Sequence, residues 1–317
     1  MGAPRFHRLK VKDVRRETPD AVSVAFEVPP DLATAYAFVP GQYLTLRATI
    51  DGEDLRRSYS ICSGPDDGEL RIAVKRVEGG PFSAWVNSGL KRGDRLAVLT
   101  PTGRFGVRHQ SQMAATYLCI AAGSGITPIL SIVKGVLGRE AKSRFFLLYG
   151  NRSTADTLFR EALAELKDRY MDRLSIFHVL SREEQDVPIL NGRVDGDKVR
   201  RIVRSLVPVA MVDHVLICGP QGMAEEIGPV LESLGTRPRA HSRGAVRLGA
   251  RRPAKSQAAH ACGRGAEPDR HAHLRWQATR CARCRRRSDS RRRTARRFGL
   301  ALRLQGWHVL HVPRQGG

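Results

Sequence analysis

The chain has 317 residues and a formal net charge of +23, from 54 Lys and Arg against 31 Asp and Glu. This length is too great for one compact core and predicts two domains with an appendage. No stretch reaches the roughly 18 apolar residues of a membrane helix, and residues 1–16 lack the apolar centre of a signal peptide. We therefore expect a soluble cytoplasmic protein with no membrane partner.

Nearly all of the positive charge lies at the C-terminal end. Residues 237–317 hold 22 Lys and Arg against 3 Asp and Glu, which is +19 of the total and leaves +4 for residues 1–236. A nucleic-acid-binding surface should belong to a folded face, which this segment does not predict. Of the six cysteines, Cys62, Cys119 and Cys218 lie in apolar runs typical of buried thiols, and no disulfide framework is indicated.

The first third of the chain has the pattern of a small antiparallel β-barrel. Short apolar or alternating runs, separated by Gly, Pro and Asp turns, extend from Phe6 to about Arg108. This pattern predicts a six-stranded barrel over residues 1–110. The runs are Ala21–Val28, Gln42–Ala48, Ser58–Cys62, Leu70–Val77 and Arg95–Thr100.

The pattern changes to alternating strands and helices from Ala115 to about Gly235, which predicts a five-stranded parallel α/β sheet over residues 111–236. Both periodicities stop after Thr236, so residues 237–317 are expected to form a disordered basic tail. The strand runs are Tyr117–Ala122, Phe145–Gly150, Leu174–Leu180 and His214–Cys218.

Three motifs follow one another in the predicted barrel. They are Arg57-Ser58-Tyr59-Ser60, Ile72-Ala73-Val74-Lys75-Arg76 and Gly79-Gly80-Pro81-Phe82-Ser83. Each motif alone is an ordinary strand or a turn with a helix start. Their order and spacing together resemble the flavin site of the ferredoxin-NADP reductase family.

The resemblance implies that the barrel binds FAD. A flavin dinucleotide needs a cation for its pyrophosphate, an aromatic face beside its ring system and hydrogen-bond donors near N5 and N1. The resemblance implies that Arg57 pairs with the pyrophosphate. It implies that Tyr59 stacks on the flavin with Ser58 beside it, that Ser60 lies near N5, and that the backbone of Val74 and Lys75 lies along the ribityl chain. Gly80, Phe82 and Ser83 would lie at a helix N-terminus that faces phosphate oxygens.

The second predicted domain opens with a glycine turn between a strand and a helix. The turn reads Gly123-Ser124-Gly125-Ile126-Thr127-Pro128 and places phosphate at a helix N-terminus. It ends in Pro instead of the Gly of the common dinucleotide fingerprint, which suits the first turn of a helix and matches the same family. The resemblance implies that Gly123, Gly125, Thr127 and Pro128 bind NAD(P)H.

Further motifs fall at the C-terminal ends of predicted parallel strands, where ligands of such sheets bind. The resemblance implies that Cys218, Gly219, Pro220 and Met223 meet the nicotinamide. It also implies that Arg152, Ser181 and Arg182 hold an adenosine 2′-phosphate, which favours NADPH with NADH as the alternative. On its own, Arg182 would read equally well as a solvated loop charge.

Hydride transfer from nicotinamide to flavin needs no acid–base side chain, so the catalytic residues, Tyr59, Ser60 and Cys218, are expected to act by positioning. The order of domains resembles that of oxygenase reductases of the phenylacetyl-CoA epoxygenase type, which end in a plant-type ferredoxin. The resemblance implies electron transfer to an oxygenase component or another acceptor. A free-standing NAD(P)H flavin or dye reductase and a flavoprotein with a nucleic-acid-binding tail are the alternatives.

The tail lacks the ligands of that ferredoxin. Its 2Fe-2S cluster needs Cys-x4-Cys-x2-Cys and a distant fourth Cys, whereas the tail has only Cys281-Ala282-Arg283-Cys284 without a second pair. Neither this pair nor His271 and His273 has the spacing of a zinc site, so no metal site is predicted.

A shifted reading frame gives the missing spacing. On back-translation of Leu304–Pro313, the Trp307/His308 junction must read GGC, which encodes glycine, and four neighbouring junctions permit T-N-C, which encodes Cys, Phe, Ser or Tyr. One permitted reading is Cys-(Lys/Arg)-Gly-Gly-(Met/Thr)-Cys-Cys-(Met/Thr)-Cys, which contains Cys-x4-Cys-x2-Cys. We hypothesise a frameshift between Thr236 and Arg243 that explains the arginine excess, the lost periodicity and the absent cluster together.

Overall fold

Seventeen helices and strands form two domains in the computed structural model, which describes residues 4–106 and 114–236 and the backbone of residues 241–246. The first domain contains β1 (Phe6–Thr18), β2 (Ala21–Glu27), α1 (Ala33–Tyr36), β3 (Tyr43–Ile50), β4 (Glu53–Ser60), β5 (Leu70–Lys75), α2 (Pro81–Ser88) and β6 (Arg95–Leu99). The second contains β7 (Thr116–Ala122), α3 (Ile126–Arg139), β8 (Arg144–Asn151), α4 (Arg160–Arg169), β9 (Leu174–Leu180), α5 (Gly196–Leu206), β10 (His214–Pro220), α6 (Met223–Ser233) and β11 (His241–Val246).

The first domain is the predicted six-stranded antiparallel barrel. Its strand order is β4-β3-β6-β1-β2-β5, and a bridge between Ile61 and Ile72 joins the two edge strands. Alternate residues of each strand point inward, so the barrel closes around aliphatic side chains with Phe82 of α2 buried among them. The fold-class prediction for residues 1–110 is confirmed over the described part.

One strand of the barrel, β1, was missing from the prediction, and another, β4, begins earlier than predicted. β1 was not among the predicted runs, because only Leu9 and Val11 of its 13 residues are completely buried apolar residues and long charged side chains cover its outer face. β4 begins at Glu53 rather than Ser58, since its first residues are charged and exposed. Asp51 and Gly52, with φ of 50° and 81°, form a tight hairpin turn that pairs this charged stretch with β3.

The second domain is a parallel sheet with helices on both faces. Its strand order is β11-β10-β7-β8-β9. Helices α3 and α4 pack on one face, and α5 and α6 pack on the other. The chain moves outward from β7 through β8 to β9 and then returns to β10 on the other side, so the sheet has a switch point between β7 and β10. Ligands of such sheets bind outside the carboxyl ends of the strands at that point.

The fifth strand of this sheet lies where the sequence predicted no regular structure. β11 runs parallel to β10, with Val215 opposite His241 and Pro220 opposite Val246. The second domain therefore extends beyond Thr236, the predicted boundary. Pairing to the open edge of β10 uses backbone groups, which leave no apolar periodicity in the sequence. The rest of the predicted tail, with Cys262, Cys281 and Cys284, lies outside the described residues.

Helix α3 joins the two domains. Its apolar face shares one buried cluster with Cys62, Ala73 and Phe105 of the first domain. The hydroxyl of Ser131, with no exposed surface, donates a hydrogen bond of 2.7 Å to the carbonyl oxygen of Ser63. The middle of α3 is thus held by the segment that follows β4.

Two ion pairs extend this contact to the surface. Lys134 Nζ lies 2.6 Å from Asp67 Oδ2, and Arg139 Nη2 lies 2.8 Å from Asp66 Oδ1. No helix in the described part of the chain has the length and apolar content needed to cross a bilayer.

We expect Ser131→Ala to weaken the contact between the domains. The substitution leaves the buried Ser63 carbonyl without its donor, which costs about 1–3 kcal/mol. At about 2–4 °C per kcal/mol for a chain of this size, the loss is visible in a thermal unfolding curve. Ser88→Ala is the matched control, because the Ser88 hydroxyl donates to Ala84 on an exposed helix surface. Equal midpoints for the two variants would show that the Ser131 bond contributes nothing.

Candidate functional site

β4 presents the first motif on alternate faces. Arg57 lies opposite Leu46 and Tyr59 opposite Leu44, so both side chains share the face that looks into the barrel. Ser58 lies on the other face, where its hydroxyl is 2.9 Å from Thr45 Oγ1. The cation and the aromatic ring of the motif therefore share one face of β4, Ser58 lies on the other, and their roles toward a flavin stay predictions.

The ring of Tyr59 packs against a buried aromatic residue of α2. Its centroid lies 6.1 Å from that of Phe82, which is 1% exposed and also contacts Trp85 at 5.8 Å. Phe82 is therefore a core residue that fixes Tyr59, and its own ring is not open to a ligand. Burial raises the pKa of the Tyr59 hydroxyl above its usual range, against the opposing effect of Arg57, so the residue is neutral.

The N-terminus of α2 offers backbone donors. Pro81 has no N–H, and the amides of Phe82 and Ser83 lie in the first turn, where helix geometry supplies no acceptor. The hydroxyl of Ser83 accepts from Val77 N–H at 3.0 Å and donates to Gly80 O at 3.0 Å. Ser83 can therefore serve an anion through its amide, while its side chain holds the turn closed.

A side-chain amide ties this helix to β5. Asn87 Nδ2 donates to Val74 O at 3.1 Å and to Ser83 O at 2.8 Å. The ammonium group of Lys75 lies 3.3 Å from Asp20, so its charge is paired within the barrel, and the predicted role of its backbone along a ribityl chain stays a prediction. The three barrel motifs are thus joined through α2.

The glycine turn after β7 forms a second set of donors. Gly123 has φ of 53°, and its carbonyl accepts from the hydroxyl of Tyr149 at 3.1 Å. Thr127 Oγ1 donates to Ser124 O at 2.9 Å, which closes the turn. Pro128 lies in the first turn of α3, where its missing N–H costs no hydrogen bond. The turn between β7 and α3 is thus held by these two hydrogen bonds, and the assignment of phosphate to it stays a prediction.

The end of β10 meets this turn at the switch point. A Cβ at Gly125 would lie 2.1 Å from Cys218 O, and one at Gly219 would lie 2.2 Å from Met223 Sδ. Only glycine allows such close approach of the two segments. Pro220, the last residue of β10, is exposed beside them.

Cys218 lies in the core beneath the switch point. It is 1% exposed and packs between the sheet and α3. Burial raises the pKa of its thiol to about 12, so the residue is a neutral packing group and not a nucleophile.

The barrel and the glycine turn are neighbours in space. β5, which carries Val74 and Lys75, lies in contact with the turn Gly123–Gly125. Helix α3, which begins at that turn, is fixed to the barrel through Ser131 and Ser63. The two segments, which the sequence assigns to two different dinucleotides, are therefore neighbours in space.

A third set of side chains lies at the ends of β8 and β9. Ser181 N–H donates to Asn151 O at 3.0 Å and Arg182 N–H donates to Arg152 O at 2.8 Å, which brings the two predicted arginines onto adjacent loops. The guanidinium groups are exposed, as a site for a solvated phosphate requires. The described residues hold no group of three or more His, Cys, Asp or Glu that could bind a metal.

Two features that shape these sites were not predicted. The sequence analysis assigned no role to Asp66 and Asp67, which form ion pairs with α3. It assigned none to Glu183 either, whose carboxylate accepts from both the hydroxyl and the N–H of Thr154 at 2.6 Å each. These two bonds, the hydroxyl first, lower the pKa of Glu183. An exposed acid next to a basic motif could have suggested an interaction of Glu183, but no local pattern in the sequence identifies Thr154 as its partner.

Comparison with family models gives two matches in tandem. Residues 8–106 match the oxidoreductase FAD-binding domain, and residues 119–228 match the oxidoreductase NAD-binding domain. The two models follow the two domains of the structure and carry the two predicted sets of site residues.

Comparison with known proteins gives relatives of the same kind. The chain is 46% identical over 230 residues to a subunit of the 1,2-phenylacetyl-CoA epoxidase of Escherichia coli, covering 73% of this chain and 65% of that protein. It is 36% identical over 220 residues to the ferredoxin reductase component of 3-ketosteroid-9-alpha-monooxygenase from Mycobacterium tuberculosis, covering 67% and 57%. The chain thus matches less than two thirds of the length of these relatives.

The fold is also found among solved structures. The FAD/NAD-binding domain of nitric oxide dioxygenase from Vibrio cholerae superimposes with a TM-score of 0.62 at 25% identity, covering 75% of this chain and 97% of that domain. This likeness agrees with the barrel and the parallel sheet described above.

We expect Gly125→Ala to disrupt the switch point. A Cβ there would clash with the backbone of Cys218, which cannot move without shifting β10. The variant should lose thermal stability and nucleotide binding together. Gly138→Ala on the same helix is the control, because a Cβ at Gly138 meets nothing within 4 Å. It should stabilise the helix by about 0.5–1 kcal/mol. A Gly125→Ala protein as stable as Gly138→Ala would contradict the described contact.

Proposed function

Because the chain belongs to the ferredoxin-NADP reductase family of FAD- and NAD-binding oxidoreductases, we propose that it is an electron-transfer reductase of an oxygenase system, of the phenylacetyl-CoA epoxidase type. It would take hydride from NADPH and pass electrons to an oxygenase component or another acceptor. The observation that carries this proposal is the meeting of the two dinucleotide sites, where β5 of the barrel contacts the glycine turn of the second domain.

The residues of the barrel fit FAD. Arg57 supplies the cation and the free amides of α2 supply donors for a pyrophosphate, and Tyr59 supplies a fixed aromatic face. We assign Ser60, at the end of β4, to the position near N5. Bound FAD would accept a hydride and release its electrons one at a time to an acceptor.

The protein's own contribution would be position and exclusion of water. Ser131 and the ion pairs of Asp66 and Asp67 hold α3 against the barrel, which fixes the nicotinamide side relative to the flavin side. Tyr59 and Cys218 are neutral and offer no competing proton transfer. Cys218, Gly219 and Pro220 would form the floor beneath the nicotinamide.

We assign the exposed Arg152 and Arg182, with Ser181, to the 2′-phosphate of NADPH. Two guanidinium groups on adjacent loops can bind one phosphate with several charge-assisted hydrogen bonds, which NADH cannot use. This assignment makes NADPH the preferred donor.

The proposed transfer of electrons to an oxygenase component is supported by the relatives of the chain. The E. coli and M. tuberculosis proteins are components of an epoxidase and a monooxygenase, and both are longer than the segment that this chain matches. We propose that a 2Fe-2S domain followed the second domain in the ancestral protein. Residues 247–317, which include the shifted-frame cysteines, lie outside the described residues.

The frameshift hypothesis has a direct test in the gene. We expect re-sequencing of the codons for Thr236–Arg243 to show one base too many or too few, with the restored frame encoding Cys-x4-Cys-x2-Cys near codons 304–313. A confirmed frame with the sequence as it stands would refute the hypothesis, and the basic segment would then need its own explanation.

For the reductase itself, we expect the purified chain to show flavin absorption that bleaches when NADPH is added without oxygen. The chain should reduce ferricyanide with NADPH, because this dye takes electrons directly from flavin. It should not support the oxygenase, since the one-electron exit is lost. Absence of bound flavin would refute the proposed function, and broad iron–sulfur absorption would refute the loss of the cluster.

A further inference from the structure

The two loops proposed to hold the 2′-phosphate are joined by one acidic side chain. The loop after β8 carries Arg152 and Thr154, and the loop after β9 carries Arg182 and Glu183. Glu183 Oε2 accepts from the N–H of Thr154 and Oε1 accepts from its hydroxyl, each at 2.6 Å. We call this pair of hydrogen bonds the Glu183–Thr154 bracket.

The bracket completes a short series of bonds between the loops. The parallel pairing of β8 and β9 ends at Asn151 and Leu180, and two backbone bonds continue it, from Ser181 to Asn151 and from Arg182 to Arg152. The bracket is the next link, and it is the first one made by a side chain. It uses an ionised acceptor and two donors, which gives short and directional hydrogen bonds.

The chemistry of the position is unusual for a phosphate site. Glu183 follows Arg182 on the loop proposed to bind phosphate, where repulsion between like charges would weaken phosphate binding. Both oxygens of Glu183 are engaged by Thr154, so the acid is committed to the neighbouring loop. The geometry indicates that Glu183 holds the two loops, and with them Arg152 and Arg182, at a fixed separation.

We propose that Glu183 is a positioning residue for the discrimination of NADPH from NADH, acting through Thr154 to hold the loops of Arg152 and Arg182 together. This inference rests on the proposed function, because it assigns a role within the same nucleotide site. Glu183 and Thr154 need not touch the phosphate, and loss of the bracket lets the two arginines drift apart without changing either one. Binding of NADH, which has no 2′-phosphate, should not change when the bracket is lost.

The experiment is a double-mutant cycle with both nucleotides. Steady-state ferricyanide reduction is measured for the wild type, Glu183→Ala, Thr154→Val and the double variant. Each single variant should raise KM for NADPH about 3- to 10-fold, as expected for exposed charge-assisted bonds. The double variant should be no worse than the more damaging single one, because both remove the same bracket. KM for NADH and kcat with either nucleotide should stay within about twofold.

Three further variants make the result specific. Glu183→Gln keeps an acceptor oxygen for Thr154 and should retain most of the NADPH preference. Glu184→Ala is the matched control, since it removes the neighbouring exposed acid and should leave both KM values unchanged. Arg182→Ala sets the scale, because it removes a proposed phosphate ligand outright. Flavin content measured by absorbance confirms that each variant is folded.

The possible outcomes separate the inference from the function beneath it. If Glu183→Ala leaves KM for NADPH unchanged, lowers it or changes both nucleotides alike, the bracket has no part in selectivity. Additive effects of the two single changes would also overturn it. If the wild type oxidises NADPH no better than NADH, or Arg182→Ala affects both equally, the assignment of NADPH itself fails and the inference fails with it.

Discussion

The arrangement of both sites depends on how α3 is fixed to the barrel. Ser63 lies at the centre of this contact, since its carbonyl accepts from the hydroxyl of Ser131 and its own hydroxyl accepts from the N–H of Arg71. A buried carbonyl without a donor is costly, so the two domains cannot slide along each other without losing this bond. The glycine turn lies at the N-terminal end of α3, and β4 ends a few residues before Ser63. One buried hydrogen bond therefore relates the nicotinamide side of the interface to the flavin side.

Close approach of backbone segments is the second constraint. At the switch point, Gly125 touches the carbonyl of Cys218, and Gly219 admits the side chain of Met223. The same principle holds at α2, where a Cβ on Gly80 would lie 2.9 Å from the Ser83 hydroxyl that closes the turn. Glycine at these positions lets β10 and the start of α3 approach each other closely. The first-turn amides of a helix have no acceptor within the helix, so the proposed phosphate sites would draw their backbone donors from the helix starts.

The parts of the fold that could be predicted from sequence are those encoded locally. The Arg57–Ser60 motif, the glycine turn and the arginines after β8 and β9 are each contiguous, and the structure places them at strand ends or helix starts as expected. β1 escaped prediction because its charged outer face masks a period of two that only Leu9 and Val11 make visible. β11 was not predicted because pairing at the edge of a sheet uses backbone groups, which leave no pattern in the sequence. The contacts of Asp67 with Lys134 and of Glu183 with Thr154 join residues 67 and 29 positions apart, and no local pattern specifies such partners.

The residues assigned to the proposed reaction differ in charge. Arg57, Arg152 and Arg182, assigned to phosphates, are cations, whereas burial keeps Tyr59 and Cys218 neutral by raising the pKa of both, to about 12 for the thiol. Neither group changes its charge over the range in which proteins work, so neither can donate or take up a proton in competition with the reaction. A hydride carries its own electron pair and needs only a short, dry path. In the proposed function, the neutral Tyr59 and Cys218 would leave such a path undisturbed, and the arginines assigned to phosphates would anchor the two dinucleotides.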